Sequence, residues 1–140
     1  MFGNDRDQLR RFYCDVWARR QRGEELDPLA AQIAAVIEIH PEYQPLMADP
    51  DTALAAEYTP EMGQSNPFLH MGMHLAIREQ VSTDRPAGIR ATYQLMIARL
   101  GDHEAEHRIM ECLGRTLWEA QRSGSAPDEI AYLECVRGLA

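Results

Sequence analysis

Apolar residues recur along the chain every three to four positions, which is the spacing of an α-helix that buries one face. No stretch shows the sustained two-residue alternation that is typical of β-strands. Prolines, glycines and short polar side chains separate the apolar segments. The pattern predicts an all-α single domain over residues 1–140, folded as a helical bundle of about five or six helices.

Capping residues and prolines predict the helix boundaries. Proline is favoured at the first position of a helix, and it disfavours a helical conformation for the residue that precedes it, so a helix usually ends before a proline. Residues 41–65 contain four prolines and are predicted to be irregular, with a short helical turn around Glu42–Met47. The predicted helices run from the N-cap Asn4 to Gly23, from the N-cap Asp27 and Pro28 to near His40, from the N-cap Asn66 and Pro67 to about Val81, from Pro86 to Gly101, over about residues 103–122 after the N-cap Asp102, and from Pro127 onwards.

Charge and composition narrow the classes of partner. The chain has 45% hydrophobic and 26% charged residues, which is ordinary for a globular protein. Its net charge of -8 argues against binding to nucleic acid and to an anionic membrane surface. The N-terminus is too polar for a signal peptide, and no apolar run approaches membrane-spanning length. We predict a cytoplasmic protein with no nucleic-acid or membrane partner, for which a protein partner or a homo-oligomer is possible.

The cysteines are few and widely spaced. Cys14, Cys112 and Cys135 form no C-x-x-C motif, and an odd, sparse set is not a disulfide framework. Each lies in a predicted helix. The sequence therefore predicts reduced thiols.

The segment HEAEH at residues 103–107 is the strongest candidate for chemistry because it satisfies the H-E-x-x-H pattern. On a helix, His103 and His107 lie one turn apart on one face, where both imidazoles can bind one metal ion beside a carboxylate. Glu104 and His107 also have the E-x-x-H spacing of di-iron bundles. In a helical projection Glu106 points inward, and Glu104 and Glu111 flank His107. All three glutamates are therefore candidate ligands.

A second histidine pair, His70 and His74, repeats the spacing of four residues. A helical projection places this pair on the apolar arc of its helix and places His103 and His107 inside or at the edge of theirs. The arc of the first of these helices is set by Leu69, Met73, Ile77 and Val81.

The two pairs can converge. If consecutive helices run up and down, the two helices that carry the pairs are parallel, and both pairs lie in their first two turns at the same end. His40 finishes the second predicted helix at that end as well. The spacing therefore predicts a single site rather than two isolated pairs.

The predicted function is metal binding, and the predicted cofactor is a transition metal, either zinc or iron. One alternative is a non-enzymatic helical adaptor in which the histidines are structural. Another is a metal-dependent hydrolase that uses HEAEH, with Glu104 as the general base. The predicted metal ligands are His70, His74, His103 and His107, with Glu104, Glu106 or Glu111 completing the shell.

Three segments of the chain resemble a bacterial family known as domain of unknown function 1841. These segments are NPFLHMGMHLAIREQ, HEAEHRIMECLGRTLWEAQ and AYLECVRGLA. The resemblance extends over nearly the whole chain and includes RDQLRRFYCDVWARR and HPEY. It implies membership of the family but no reaction, so the candidate site residues depend on their spacing alone.

Overall fold

The computed structural model describes the backbone of residues 2–58 and 66–140 and the side chains of residues 5–58 and 66–140. Within these ranges the chain is helical and contains no strand, which confirms the all-α class. The helices are α1 (Phe2–Gln21), α2 (Pro28–Glu38), α3 (Gln44–Met47), α4 (Pro50–Ala55), α5 (Pro67–Thr83), α6 (Ile89–Leu100), α7 (Asp102–Ser123) and α8 (Glu129–Arg137), with a 3₁₀ turn at Pro41–Tyr43.

The helix count is higher than the five or six predicted. Eight α-helices are described because α3 and α4 form within the proline-rich segment, where only one short turn was expected. Pro45 and Pro50 occupy early positions of these two helices, where a missing N–H is tolerated. Residues 59–65, the last part of that segment, lie outside the described residues.

Two of the predicted N-caps are confirmed. Asp27 accepts a hydrogen bond from the backbone N–H of Ala30 at 2.8 Å, and Asn66 accepts one from Phe68 at 2.9 Å. These bonds satisfy N–H groups that have no partner inside the helix. The prediction for Asn4 is wrong, because α1 begins at Phe2, upstream of Asn4. The prediction for Asp102 is also wrong, because Asp102 is the first residue of α7 and Gly101 is its N-cap.

The chain divides into two compact units, residues up to 75 and residues 76–140, and the division falls within α5. The prediction of a single domain stays a prediction. In the first unit α1 packs against α2 and α4, and in the second α7 packs against α6 and α8. The core of the first unit includes Val16, Trp17, Ile33, Val36, Ile37, Phe68 and Met71, and buried apolar residues of the second include Ile77, Ile89, Met96, Ile109 and Val136.

The buried face of α5 in the structure differs from the predicted one by a rotation about the helix axis. Leu69 was placed inward but is 62% exposed, whereas Met71 is fully buried. Both Leu69–Met73–Ile77 and Phe68–Met71 have helical spacing, so apolar spacing alone does not distinguish the two stripes. His74 lies on the buried stripe.

The prediction of three reduced thiols is wrong for two of the cysteines. A disulfide joins Cys112 of α7 to Cys135 of α8, with a Cα–Cα distance of 5.9 Å. Cys14 is a free, buried thiol. A set of three cysteines is compatible with one disulfide and one free thiol.

None of the helices among the described residues is both long enough and apolar enough to cross a membrane.

Candidate metal centre

His40 is positioned by the end of α2. Pro41 disfavours a helical conformation for the residue before it, and His40 has φ −124° and ψ 73° accordingly. Its side chain is 3% exposed. The Nδ1 atom lies 2.7 Å from the carbonyl oxygen of Val36, and because a carbonyl only accepts, Nδ1 carries the proton. The lone pair of the neutral ring is therefore on Nε2, as in histidines whose second nitrogen binds a metal.

His70 and His74 approach His40 from the first two turns of α5. The ring centroid of His40 lies 5.1 Å from that of His70 and 4.8 Å from that of His74, and the latter two are 4.9 Å apart. The cap at Asn66 marks the start of α5 and thereby determines that both rings lie in the first two turns of this helix. His74 is fully buried, and His70 is half-buried. The three histidines form one group, which we call the histidine cluster.

The histidine cluster has the donors of a metal site. One ring nitrogen from each of its three members lies within 4.8 Å of the others. Nitrogens bound to one zinc ion at about 2.0–2.1 Å lie roughly 3.4 Å apart in tetrahedral geometry. Small rotations about the side-chain bonds close that difference. Neutral imidazoles are also the ligands that zinc, copper, iron and nickel accept.

Tyr43 stabilises the orientation of the His40 ring. The two rings are stacked, with centroids 5.1 Å apart and planes at 12°. Burial raises the pKa of the Tyr43 phenol, so the hydroxyl stays protonated at neutral pH. The backbone hydrogen bond and this stacking together restrict the imidazole to one plane, which is what a preorganised ligand needs.

The HEAEH segment lies in the first turns of α7, in the second unit. The rings of His103 and His107 have centroids 4.2 Å apart, as the spacing of four residues predicts. His103 is exposed, however, and His107 is half-buried. Glu104 is exposed and accepts a hydrogen bond from Arg108 at 3.0 Å, which is an i, i+4 ion pair. Glu111 is also exposed.

Glu106 is buried and is bound by two side chains of the same unit. Arg78 donates through Nε to both carboxylate oxygens at 3.3 and 3.2 Å, and the hydroxyl of Tyr93 donates to Oε2 at 3.3 Å. Burial and the carboxylate raise the pKa of Tyr93 to about 12, so the hydroxyl remains a donor. These contacts satisfy a buried carboxylate without a metal ion.

Removing the Glu106 carboxylate tests this interpretation. Glu106→Ala is expected to lower the free energy of unfolding by roughly 2 kcal/mol, because Arg78 loses its partner but is open enough to be partly hydrated. Urea denaturation followed by circular dichroism measures the effect. Glu111→Ala, an exposed glutamate on the same helix, is the matched control and should change stability by less than about 0.5 kcal/mol. Equal effects of the two substitutions would contradict a structural role for Glu106.

The predicted histidines lie on two helices, α5 and α7. The structure brings His70 and His74 together with His40, and it brings His103 beside His107. The assignment of Glu104, Glu106 and Glu111 as ligands stays a prediction. His40 was noted at the end of the second helix but was not among the predicted ligands; the signal for it is a histidine–proline pair at the end of an apolar helix.

The match to known families covers nearly the whole chain. A family model described as a domain of unknown function, DUF1841, matches residues 5–138. The chain belongs to the DUF1841 family. No curated protein and no solved structure matches the chain. Membership of DUF1841 confirms the resemblance seen in the sequence and brings no reaction with it, so the chemistry of the histidine cluster carries the functional argument.

Proposed function

We propose that this DUF1841 protein binds one transition-metal ion through His40, His70 and His74. The observation that carries the proposal is the convergence of three imidazoles from two separate segments of the first unit, two of them buried. Burying several polar rings together is unfavourable unless their nitrogens are satisfied, and a metal ion satisfies several lone pairs at once.

The donor set favours zinc over iron. All of the proposed ligands are neutral imidazoles, whereas carboxylate-bridged iron sites draw several of their ligands from glutamates. Glu106 is bound to Arg78 and Tyr93, and Glu104 is paired with Arg108. Zinc accepts nitrogen ligands in tetrahedral geometry without a carboxylate, so it is the metal that the cluster suits best.

The number of imidazole ligands decides between a structural and a catalytic role for the metal ion. Four imidazoles fill a tetrahedral zinc ion and leave no position for water or substrate. Three imidazoles leave one position open, which is the arrangement of hydrolytic zinc sites. The three imidazoles of the histidine cluster are compatible with either role, since one further ligand would close the open position. We therefore propose metal binding and assign no reaction to it.

The hydrolase alternative needs Glu104 as a general base. Its carboxylate is already engaged in an ion pair with Arg108, which competes with a substrate or water for the same oxygens. Glu104 is also on an exposed part of α7, in water. Neither feature favours the role, so the hydrolase stays a less supported proposal.

A metal-dependent melting temperature tests the proposal. At free zinc concentrations about a hundred times the dissociation constant, binding adds about 2.7 kcal/mol to the stability of the folded chain. For a chain of this size that raises the melting temperature by about 8 °C, since each kcal/mol shifts it by about 3 °C. Differential scanning fluorimetry of metal-free protein with added zinc measures the shift, and a chelator should reverse it. Magnesium, which prefers oxygen ligands, is the control ion.

The result that would contradict the proposal is a melting temperature that zinc, iron, copper and manganese leave as unchanged as magnesium does. That result would instead favour the adaptor proposal. One feature of the second unit supports the adaptor proposal: the large apolar side chains of Leu117, Trp118 and Ile130 are exposed, as they are on surfaces that bind other proteins.

A further inference from the structure

The disulfide of the second unit has two unequal sulfurs. Cys112 is on α7 and is 3% exposed, whereas Cys135 is on α8 and is half-buried. Arg115, one turn after Cys112, donates through Nη2 to the sulfur of Cys135 at 3.0 Å. A disulfide that only cross-links two helices needs no cation beside one of its sulfurs. A guanidinium in this position stabilises a thiolate on Cys135 whenever the bond is broken.

Helix α8 also has anchors besides the disulfide. The hydroxyl of Tyr132 donates to the side-chain oxygen of Gln80 at 2.6 Å, and Tyr132 and Val136 are buried. Beyond the helix, the guanidinium of Arg99 donates to the carbonyl of Leu139. Because these contacts do not involve sulfur, α8 can remain packed when the disulfide is reduced. The two cysteines then stay close enough for the bond to form again.

We propose that Cys112 and Cys135 form a reversible dithiol–disulfide couple, in which Cys135 exchanges with low-molecular-weight thiols and their disulfides. In oxidation, the Cys135 thiolate attacks one sulfur of the external disulfide, which forms a mixed disulfide and releases one external thiolate. Cys112 then gives its proton to solvent and attacks Cys135, which forms the internal disulfide and releases the second thiolate. The protein loses two electrons and two protons, and one external disulfide becomes two thiols. Reduction is the reverse, beginning with attack on Cys135.

Cys14 provides an internal reference for reactivity. It is 3% exposed, and burial together with the nearby charge of Asp49 raises the pKa of its thiol. A buried neutral thiol reacts slowly with electrophiles. The reduced chain therefore contains Cys135, which is expected to react, and Cys14, which is expected to be inert. Because both thiols are in the same molecule, differences in protein concentration or folding do not affect the ratio of their reaction rates.

Alkylation of the reduced, folded protein tests the first step. The full-length chain is reduced, freed of reductant, and treated briefly with iodoacetamide at neutral pH, and each cysteine is followed by peptide mass spectrometry. Cys135 should be alkylated at least about tenfold faster than Cys14 or Cys112, as expected from its exposure and thiolate character. Arg115→Gln should slow Cys135 by about threefold, since a tenfold loss of thiolate is partly offset by higher nucleophilicity. Arg122→Gln, which removes the same charge from the same helix, should not change the rate.

Trapping with oxidised glutathione tests the order of the steps. The wild type should form the internal disulfide, and Cys112→Ser should accumulate a mixed disulfide on Cys135. Cys135→Ser should form none on Cys112 in the same time. The proposal is overturned if Cys112 is the residue trapped, if Cys135 reacts no faster than Cys14, or if the reduced wild type resists oxidation while folded. The alkylation experiment uses only wild type and Arg115 variants, so it decides the question even if a cysteine variant does not fold.

Discussion

Replacing His74 with alanine is expected to lower the affinity for zinc by at least about a hundredfold. Loss of a group that merely orients a ligand costs roughly 10- to 100-fold in metal affinity, and His74 is proposed to be a ligand itself. Its ring is fully buried and lies within 5 Å of both other members of the histidine cluster. Competition with a chromophoric zinc chelator measures the dissociation constant.

The matched control for this substitution is His103→Ala. His103 is also on a helix and also paired with a histidine four residues away, but it is exposed and outside the proposed ligand set. Its removal should change the zinc affinity by less than about threefold. Circular dichroism establishes that each variant is folded, and the half-buried His70 replaces His74 in the test if the cavity left by the smaller residue prevents folding. Equal affinities of the His74 and His103 variants would contradict the site.

Replacing Arg10 with leucine is expected to lower the free energy of unfolding by about 3 kcal/mol. Arg10 on α1 is 3% exposed and donates through Nη1 to the carbonyls of Ala53 and Ala56 at 2.8 and 2.7 Å, at the C-terminal end of α4. These carbonyls have no partner within the helix, and each one left unsatisfied costs about 1–3 kcal/mol. The guanidinium also lies over the ring of Phe68, 4.9 Å from its centroid. That contact adds about 1 kcal/mol, and burial of leucine recovers part of the loss.

Urea denaturation of Arg10→Leu and Arg11→Leu separates this effect from the loss of a charge. Arg11 is the next residue of α1 and is exposed, so its substitution should change stability by less than about 0.5 kcal/mol. Arg10→Lys retains the charge but loses the planar guanidinium that positions Nη1 between two carbonyls and lies over Phe68, and we expect an intermediate loss. An Arg10 variant as stable as the Arg11 variant would contradict the role of Arg10 in holding α4 against α1.

Capping residues and prolines predicted the starts of several helices correctly. Asp27 and Asn66 followed by proline mark the starts of α2 and α5 because their side chains satisfy backbone N–H groups locally, whatever the rest of the chain does. The proline-rich segment was harder to predict. Prolines that break a long helix are also acceptable in the first turn of a short one, and α3 and α4 use them in that way.

Two of the three members of the histidine cluster could be predicted from the sequence for a physical reason. Spacing of four residues brings His70 and His74 together on any helix, so the pair follows from α5 alone. His40 belongs to another segment, and its approach depends on tertiary packing that no spacing rule describes. The helical projection placed His74 on the buried face of α5, where it lies in the structure. It also placed Leu69 inward, although Met71 is the buried residue, because both belong to series of apolar residues with helical spacing.

The disulfide was not predicted because it too depends on tertiary packing that residue spacing does not reveal. Cys112 and Cys135 are 23 residues apart and have no motif between them. Their proximity follows from the packing of α8 against α7, which the helical pattern predicts only as two separate helices. A helical projection of α7 that assumes a single narrow apolar stripe leaves Cys112 outside that stripe. The buried residues of α7 include both Ile109 and Met110, so the buried face is wider than that stripe.

Elemental analysis of the wild-type protein, purified without a histidine tag, tests the central claim most directly. The protein is produced in medium supplemented with zinc, iron, copper and manganese and is freed of loosely bound ions by gel filtration. We predict about one transition-metal ion per chain, with zinc the most abundant. A protein that is folded but carries less than about one tenth of an ion of any of these metals per chain would contradict the proposed metal centre.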